Sequence, residues 1–448
     1  MEQNKETSQE NGRNKLDSDF ITEKIKQRPL DKKKLLRRTL ITAAMAVVFA
    51  LVACLTFLIL EPVLSNWLYP EDDPVPIQLP AETEEMLPED MIADESEIAQ
   101  PEPPAEIELQ DEQIAQVLDN IRLSSEDYSA MYNGLADVAK EAAKSIVTVT
   151  GSVSNVDWFN NPYESEDTTS GIIVANQGKE IFILVNYEKL KDAETIMVTF
   201  RSGERAQAQL KKQDSNTKLA IISMAESDVE EETLQGIKPA DLSGSSSNRA
   251  ILGKPVIAVG SPMGTSDSVC YGVITSNNVV LNMIDSFYKV LTTDIYGSQN
   301  ASGVLVNLDG QVLGIIDNTY NSEDMKNLVS AIGITELRRK IEKMSNEKDQ
   351  AYLGTYGTDV TEEANEDLGV PYGAYITEIE MDSPAMNAGI QSGDIITAIG
   401  EKEIKTYGDL VTAMMELHPD QSVTISLMRQ GPEEYLPMEV EVILGKLE

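Results

Sequence analysis

Three patterns of apolar and polar positions follow one another along the chain. Residues 40–60 read LITAAMAVVFALVACLTFLIL, a run of 21 positions without a charge. At about 1.5 Å per residue, a helix of that length matches a ~30 Å hydrocarbon core, so the run predicts a transmembrane helix. Lys32, Lys33, Lys34, Arg37 and Arg38 precede it, while Glu61, Trp67 and Tyr69 follow. The basic flank is expected in the cytoplasm, which makes residues 1–39 a cytoplasmic tail and puts everything after residue 61 outside the cell membrane in a single-pass topology. A cleaved signal peptide fits less well, because the apolar run exceeds the usual ~7–15 residues.

The second pattern fills residues 128–345. Short β-branched runs recur between Gly, Asn, Asp and Ser, among them 145–150 (SIVTVT), 181–185 (IFILV), 196–200, 219–224, 256–259 and 312–316. Many short strands at close spacing predict an all-β barrel or sandwich system. Helix is expected only at its edges, over 135–144 before the first strand and over 334–344, where Ile334, Leu337, Ile341 and Met344 follow a helical repeat. The third pattern, over 350–448, mixes strands at 375–380, 395–399 and 423–428 with a helix near 406–417, an α+β module.

Between the first two patterns, residues 61–127 carry 20 acidic residues, one basic residue (Arg122) and nine prolines. Self-repulsion and proline stiffness predict an extended acidic, Pro-rich linker that buries no core. The whole chain carries a formal charge of −39 with no basic cluster on its folded part, which argues against a nucleic-acid partner. Cys54 and Cys270 are the only cysteines, so neither a disulfide framework nor a zinc site is expected, and no cofactor or metal is called for. Cys54 ends Leu51-Val52-Ala53-Cys54, which is similar to a lipoprotein cleavage box, but an apolar LTFLIL follows where such sequences turn polar. His418 is the single histidine of 448 residues, so imidazole chemistry has one candidate, just before Pro419-Asp420 in a stretch that reads as an exposed turn.

Several segments together carry a resemblance. Thr169-Ser170-Gly171-Ile172-Ile173-Val174, Ile183-Leu184-Val185-Asn186-Tyr187, Leu219-Ala220-Ile221-Ile222, Val259-Gly260-Ser261-Pro262-Met263-Gly264 and the run from Leu305 to Ile315 occur in this order. In that order they resemble the trypsin-like double β-barrel of the HtrA/Deg protease family. The third pattern resembles that family's PDZ domain, through Tyr352-Leu353-Gly354, Ser383-Pro384-Ala385, Ala388-Gly389-Ile390 and Gly393-Asp394-Ile395-Ile396. The resemblance implies a mostly β fold: a membrane-anchored double barrel followed by an α+β PDZ domain.

All three catalytic positions depart from the family. Where members carry the base histidine after the Asn-aromatic stretch, this chain has Glu188; where the orienting aspartate precedes Leu-Ala, it has Lys218; and in Gln299-Asn300-Ala301-Ser302-Gly303 the nucleophile position is Ala301. Alanine has no attacking atom, and a carboxylate of ordinary pKa near 4 is poorly matched as base to a serine hydroxyl. Gln299 replaces a glycine of the oxyanion hole, where a side chain disfavours φ > 0 by ~1–2 kcal/mol. The expectation is a catalytically inactive homologue in which Glu188 and Lys218 form an ion pair. The alternative is an active endopeptidase of protein quality control that uses Ser302 as nucleophile, with Lys189 or Lys218 as base.

The PDZ resemblance implies a peptide groove. Its entry loop is Tyr352-Leu353-Gly354, its strand continues through Thr355 and Tyr356, and the facing helix supplies Leu410, Met414 and Leu417, some of which must instead pack inward. Partners would then be unfolded polypeptides or protein C-termini, and the protein would act as adaptor, chaperone-like factor or regulator. The family resemblance further implies a homo- or hetero-trimer.

Overall fold

The structure is a computed structural model. It describes residues 76–82, 124–156 and 162–447, together with Leu40, Ala43, Met45, Ala46, Val47, Val48, Phe49 and Thr56. Most of the expected spanning segment 40–60, the basic tail, Cys54 and most of the acidic linker lie outside the described residues. The described positions between 40 and 56 are helical, and no helix among the described residues is long and apolar enough to cross a membrane.

Helix α1 (Ser125–Ala142) leads into a six-stranded closed barrel of β1 (Ile146–Val156), β2 (Pro162–Asn176), β3 (Glu180–Asn186), β4 (Thr195–Thr199), β5 (Arg205–Gln213) and β6 (Leu219–Ala225), in the order β1-β2-β3-β6-β5-β4. The short helix α2 (Glu231–Gly236) follows. A second closed barrel holds β7 (Pro255–Ser261), β8 (Ser268–Met283), β9 (Ser286–Tyr296), β10 (Ser302–Val306), β11 (Val312–Ile316) and β12 (Leu328–Gly333), in the order β10-β11-β12-β9-β8-β7. The β-branched runs form the barrel interiors: Val149, Ile173, Ile183, Val198 and Ile222 fill the first, and Val256, Ala258, Leu291, Leu305 and Ala331 the second. Burial of each Val, Leu or Ile among these stabilises the fold by about 1.5–3 kcal/mol.

Where β7 crosses β10, Gly260 and Gly303 face each other in register. Both sit at positive φ, +127° and +123°, and a Cβ on Gly303 would stand 2.1 Å from the Val259 carbonyl oxygen. Only glycine lets the two strands approach this closely.

Helix α3 (Ile334–Ser345) closes the barrels, burying Ile334, Leu337, Ile341 and Met344 in a cluster shared by both. It also receives a segment that the charge pattern had assigned to the spacer. Ile77 is buried and its backbone is gripped by Asn346, whose Oδ1 accepts the Ile77 N–H at 2.8 Å and whose Nδ2 donates to the Ile77 carbonyl at 2.9 Å. Glu82 accepts from the Thr335 hydroxyl and lies 3.8 Å from Arg338. The linker therefore departs from expectation over 76–82, because two apolar residues, Ile77 and Leu79, punctuate its acidic run and find the closing helix. Helix α1 likewise starts earlier than the sequence suggested: Ser124 and Asp127 form a reciprocal capping box that nucleates it inside the acidic stretch.

The last module pairs β13 (Ala351–Tyr352) with β20 (Gly445–Lys446), and builds a sheet from β14 (Thr355–Asp359), β15 (Ala374–Ile379), β16 (Ile395–Ile399), β18 (Ser422–Gln430) and β19 (Tyr435–Ile443), with β17 (Lys402–Glu403) beside β16. Helices α4 (Glu362–Leu368), α5 (Pro384–Asn387) and α6 (Tyr407–Met414) cover it. Strand β14 is an edge of the sheet, and Tyr407 of α6 donates its hydroxyl to the Thr355 carbonyl at 3.1 Å.

Candidate active site and peptide groove

The cleft between the barrels is built from three loops. After β3, Asn186 accepts the Glu188 N–H at 3.0 Å and winds residues 187–189 into one tight turn that presents Glu188. Before β6, Asp214 organises a second loop: its Oδ2 accepts the Thr217 N–H at 2.8 Å and the Thr217 hydroxyl at 2.6 Å, and its N–H donates to the Leu219 carbonyl. That loop places Lys218 at φ 57°, where its carbonyl accepts the Tyr187 N–H at 2.7 Å. Lys218 Nζ then lies 3.4 Å from Glu188 Oε1, with both side chains about half exposed at 48% and 50%. At that exposure the pair is worth ~0–1 kcal/mol.

Asp214 owes its own position to a buried cation. Lys340 of α3 donates to Asp214 Oδ1 at 2.7 Å, with the two side chains 2% and 6% exposed, and its ammonium lies 5.7 Å from the centre of the Tyr288 ring. Burial alone would depress the Lys340 pKa, but Tyr288 and Asp214 more than offset it and raise it above the ordinary lysine value.

The third loop precedes β10. Ala301 is buried and its N–H donates to the Ser298 carbonyl at 3.1 Å, closing a turn that Asn318 fastens from the side. Gln299 does not take a positive φ. The backbone donor of an oxyanion hole at Ala301 is thus consumed within its own loop. Ser302 accepts the Ser170 N–H at 3.0 Å and donates its hydroxyl to Ser170 Oγ at 3.0 Å. Lys189 reaches Asn300 Oδ1 at 3.4 Å. The space around Ser170, Ser302 and Asn186 amounts to about 10 Å³, room for roughly one water. His418 is exposed, beyond α6, with its N–H on Gln421. Among the described residues no group of His, Cys, Asp or Glu could hold a metal ion.

In the third module the loop aims the successive N–H groups of Leu353, Gly354 and Thr355 one way. Gly354 sits at φ +86°, and a Cβ there would strike Ser383 at 2.2 Å, so the loop requires glycine. Thr355 and Tyr356 begin the edge strand, as a groove requires. Two of the expected groove residues do not line it: Leu410 and Met414 are 2% and 1% exposed in the module's core. Their i, i+4 spacing defines a face of α6, and that face turns inward. The other face, with Gly408, Val411, Thr412 and Met415, borders a cavity of about 580 Å³ that Phe287 of the second barrel also lines.

The sequence reading missed Asp285. This residue lies at the tip of the β8–β9 hairpin, buried, and its carboxylate accepts the N–H groups of Leu353 at 2.6 Å, Gly354 at 2.8 Å and Thr355 at 2.9 Å, and the Thr355 hydroxyl at 2.9 Å. Burial pushes its carboxyl pKa up, and the four donors pull against that shift. Nothing local in Ile284-Asp285-Ser286 marks it as more than a turn residue.

Two closed six-stranded barrels followed by an edge-strand-and-helix module can now be set beside known proteins. Residues 169–315 match the trypsin-like peptidase domain and residues 343–440 the PDZ domain. This order of domains is similar to that of HtrA/DegP-type proteins. A probable periplasmic serine endoprotease DegP-like of Pseudomonas fulva is 27% identical over 62% of this chain and 56% of its own length. The serine protease Do-like HtrA of Bacillus subtilis is 26% identical over 67% of this chain and 71% of its own length. The match thus spans little more than half the length of the DegP-like relative. Among solved structures, the HtrA-type protease AlgW with a decapeptide superposes with a TM-score of 0.50 at 21% identity, covering 69% of this chain and 98% of that one, a likeness of fold. The peptidase-like part carries the Glu188–Lys218 pair beside its inter-barrel cleft, while Ala301 is buried in the second barrel.

Proposed function

We propose that this protein is a catalytically silent HtrA-like protein that binds unfolded polypeptides or protein C-termini through its PDZ groove, as adaptor, chaperone-like factor or regulator. One observation carries the silence: Ala301 offers no nucleophile, and among the described residues the neighbouring Ser302 hydroxyl is bonded to Ser170 and not to a base. Hydrolysis that loses nucleophile and base retains at most a residual ~10³–10⁴ acceleration, which itself needs an intact hole. The Ala301 N–H engaged by Ser298 argues against one. The test is fluorophosphonate labelling and casein cleavage with the full chain. No label and no cleavage are expected. Labelling of Ser302, with cleavage abolished in Ser302→Ala, overturns the reading in favour of the endopeptidase.

The same proposal places the folded modules outside the cytoplasm, tethered through residues 40–60. It is supported by 21 uncharged residues behind a basic flank and by the word "periplasmic" in the name of the Pseudomonas relative. Release of the full chain from membranes by alkaline carbonate would refute the tether. Homo- or hetero-trimeric assembly belongs to this reading too, and a monomer in analytical sedimentation would remove the homotrimer.

A further inference from the structure

The PDZ entry loop of this chain is occupied. In a domain of this kind, successive backbone N–H groups receive the terminal carboxylate of a bound peptide, which then adds as a strand to the sheet edge. Here both features are supplied from the second barrel. The Asp285 carboxylate takes the N–H groups of Leu353, Gly354 and Thr355. The Asp285 N–H donates to the Thr355 carbonyl at 2.8 Å, a main-chain bond on the free edge of β14. Two residues on, Phe287 packs against the PDZ core with its ring 6.1 Å from that of Tyr407. A carboxylate, a strand-edge hydrogen bond and an apolar side chain beside α6 are the three elements of a terminal peptide, presented by a hairpin.

We infer that Asp285 is a built-in pseudo-ligand that holds the PDZ groove shut against the second barrel, so that a peptide with a free C-terminal carboxylate binds only by displacing it. This inference rests on the peptide-binding reading of the groove. Two carboxylates cannot share one set of N–H donors in a buried site, because like charges at that distance exclude each other. The apparent dissociation constant is therefore the intrinsic one divided by the fraction of molecules with Asp285 withdrawn. The hairpin tip is also fastened on its far side. Asn216 donates from Nδ2 to the Ile284 carbonyl at 2.8 Å, and Asn216 belongs to the loop that presents Lys218. Displacement of Asp285 thus frees a tip bonded to the inter-barrel cleft, which links groove occupancy to that loop.

Two measurements on the full chain test this. The first is fluorescence anisotropy with a labelled peptide of about ten residues ending in Val-Phe with a free carboxylate, and with its C-terminal amide. Asp285→Gly, which suits the φ of 50° at this position, is expected to bind the free acid at least about tenfold more tightly than the parent. Asp285→Asn, nearly isosteric, supplies the same comparison should the glycine variant unfold. The amide should bind to none of them. Equal affinity in parent and variants overturns the inference. The second measurement is hydrogen exchange at Leu353, Gly354 and Thr355, which does not depend on peptide. Protection in the parent and at least tenfold faster exchange in the variants are expected. Fast exchange in the parent overturns the docking itself. Protection lost in the variants without any peptide binding keeps the docking but overturns both the gate and the peptide-binding reading of the groove.

Discussion

Replacing Lys340 by methionine removes the cation bonded to Asp214 while keeping a long apolar stem. Asp214 Oδ2 retains the Thr217 N–H and hydroxyl, but Oδ1 loses its 2.7 Å partner in a site where the carboxylate is 6% exposed. An uncompensated buried charge of this kind costs about 3–5 kcal/mol. That is a large share of the ~5–15 kcal/mol by which folded proteins are ordinarily stable. Thermal and urea unfolding of Lys340→Met, Asp214→Asn and the double variant give the coupling directly, because residues in one network are non-additive. The double variant should recover more than half of the loss, since it leaves no charge to bury. The pH dependence has a definite sign. The Lys340 pKa is raised on folding from 10.5, so its contribution is complete below that value and is lost only as pH rises through the folded-state value. The difference between parent and Lys340→Met should stay flat from about pH 6 to pH 9. A single-variant cost below about 1 kcal/mol, or a double variant no more stable than the single, would refute the reasoning.

Ser302→Ala should lower stability by about 1–3 kcal/mol, because the buried Ser170 N–H is left without its acceptor, and should leave the casein background unchanged; a melting curve identical to the parent's would show that the bond contributes nothing. Glu188→Gln should shift stability by less than about 1 kcal/mol, given the half-exposed pair with Lys218, and a loss above about 2 kcal/mol in the same melt would mean the pair is far better shielded than its exposure indicates.

The strand interiors were legible because β-branched runs such as 181–185 and 312–316 are buried on both faces and read as continuous apolar stretches. The closing helix was legible from its four apolar repeats, and Lys340 sits on that same inward face, three residues from Leu337 and four from Met344, a charge whose partner only the tertiary fold supplies. Leu410 and Met414 show the limit of periodicity: spacing tells which residues share a face, not whether the face meets a ligand or a core. The 76–82 segment was hidden by its surroundings, since two apolar residues among acids and prolines carry no period. At the candidate site, Glu188, Lys218 and Ala301 were assigned by their order along the chain, whereas the Ser302–Ser170 bond spans 132 residues and the Asp285 contact 68 to 70. Pairings of that separation have no local signature.

The grip of Asn346 and Thr335 on residues 76–82 has a mechanical consequence. A pull applied at Ile77 enters the barrels through the closing helix rather than through α1. Since the same helix holds Asp214 through Lys340, a force on residues 76–82 is delivered to the loop that presents Lys218.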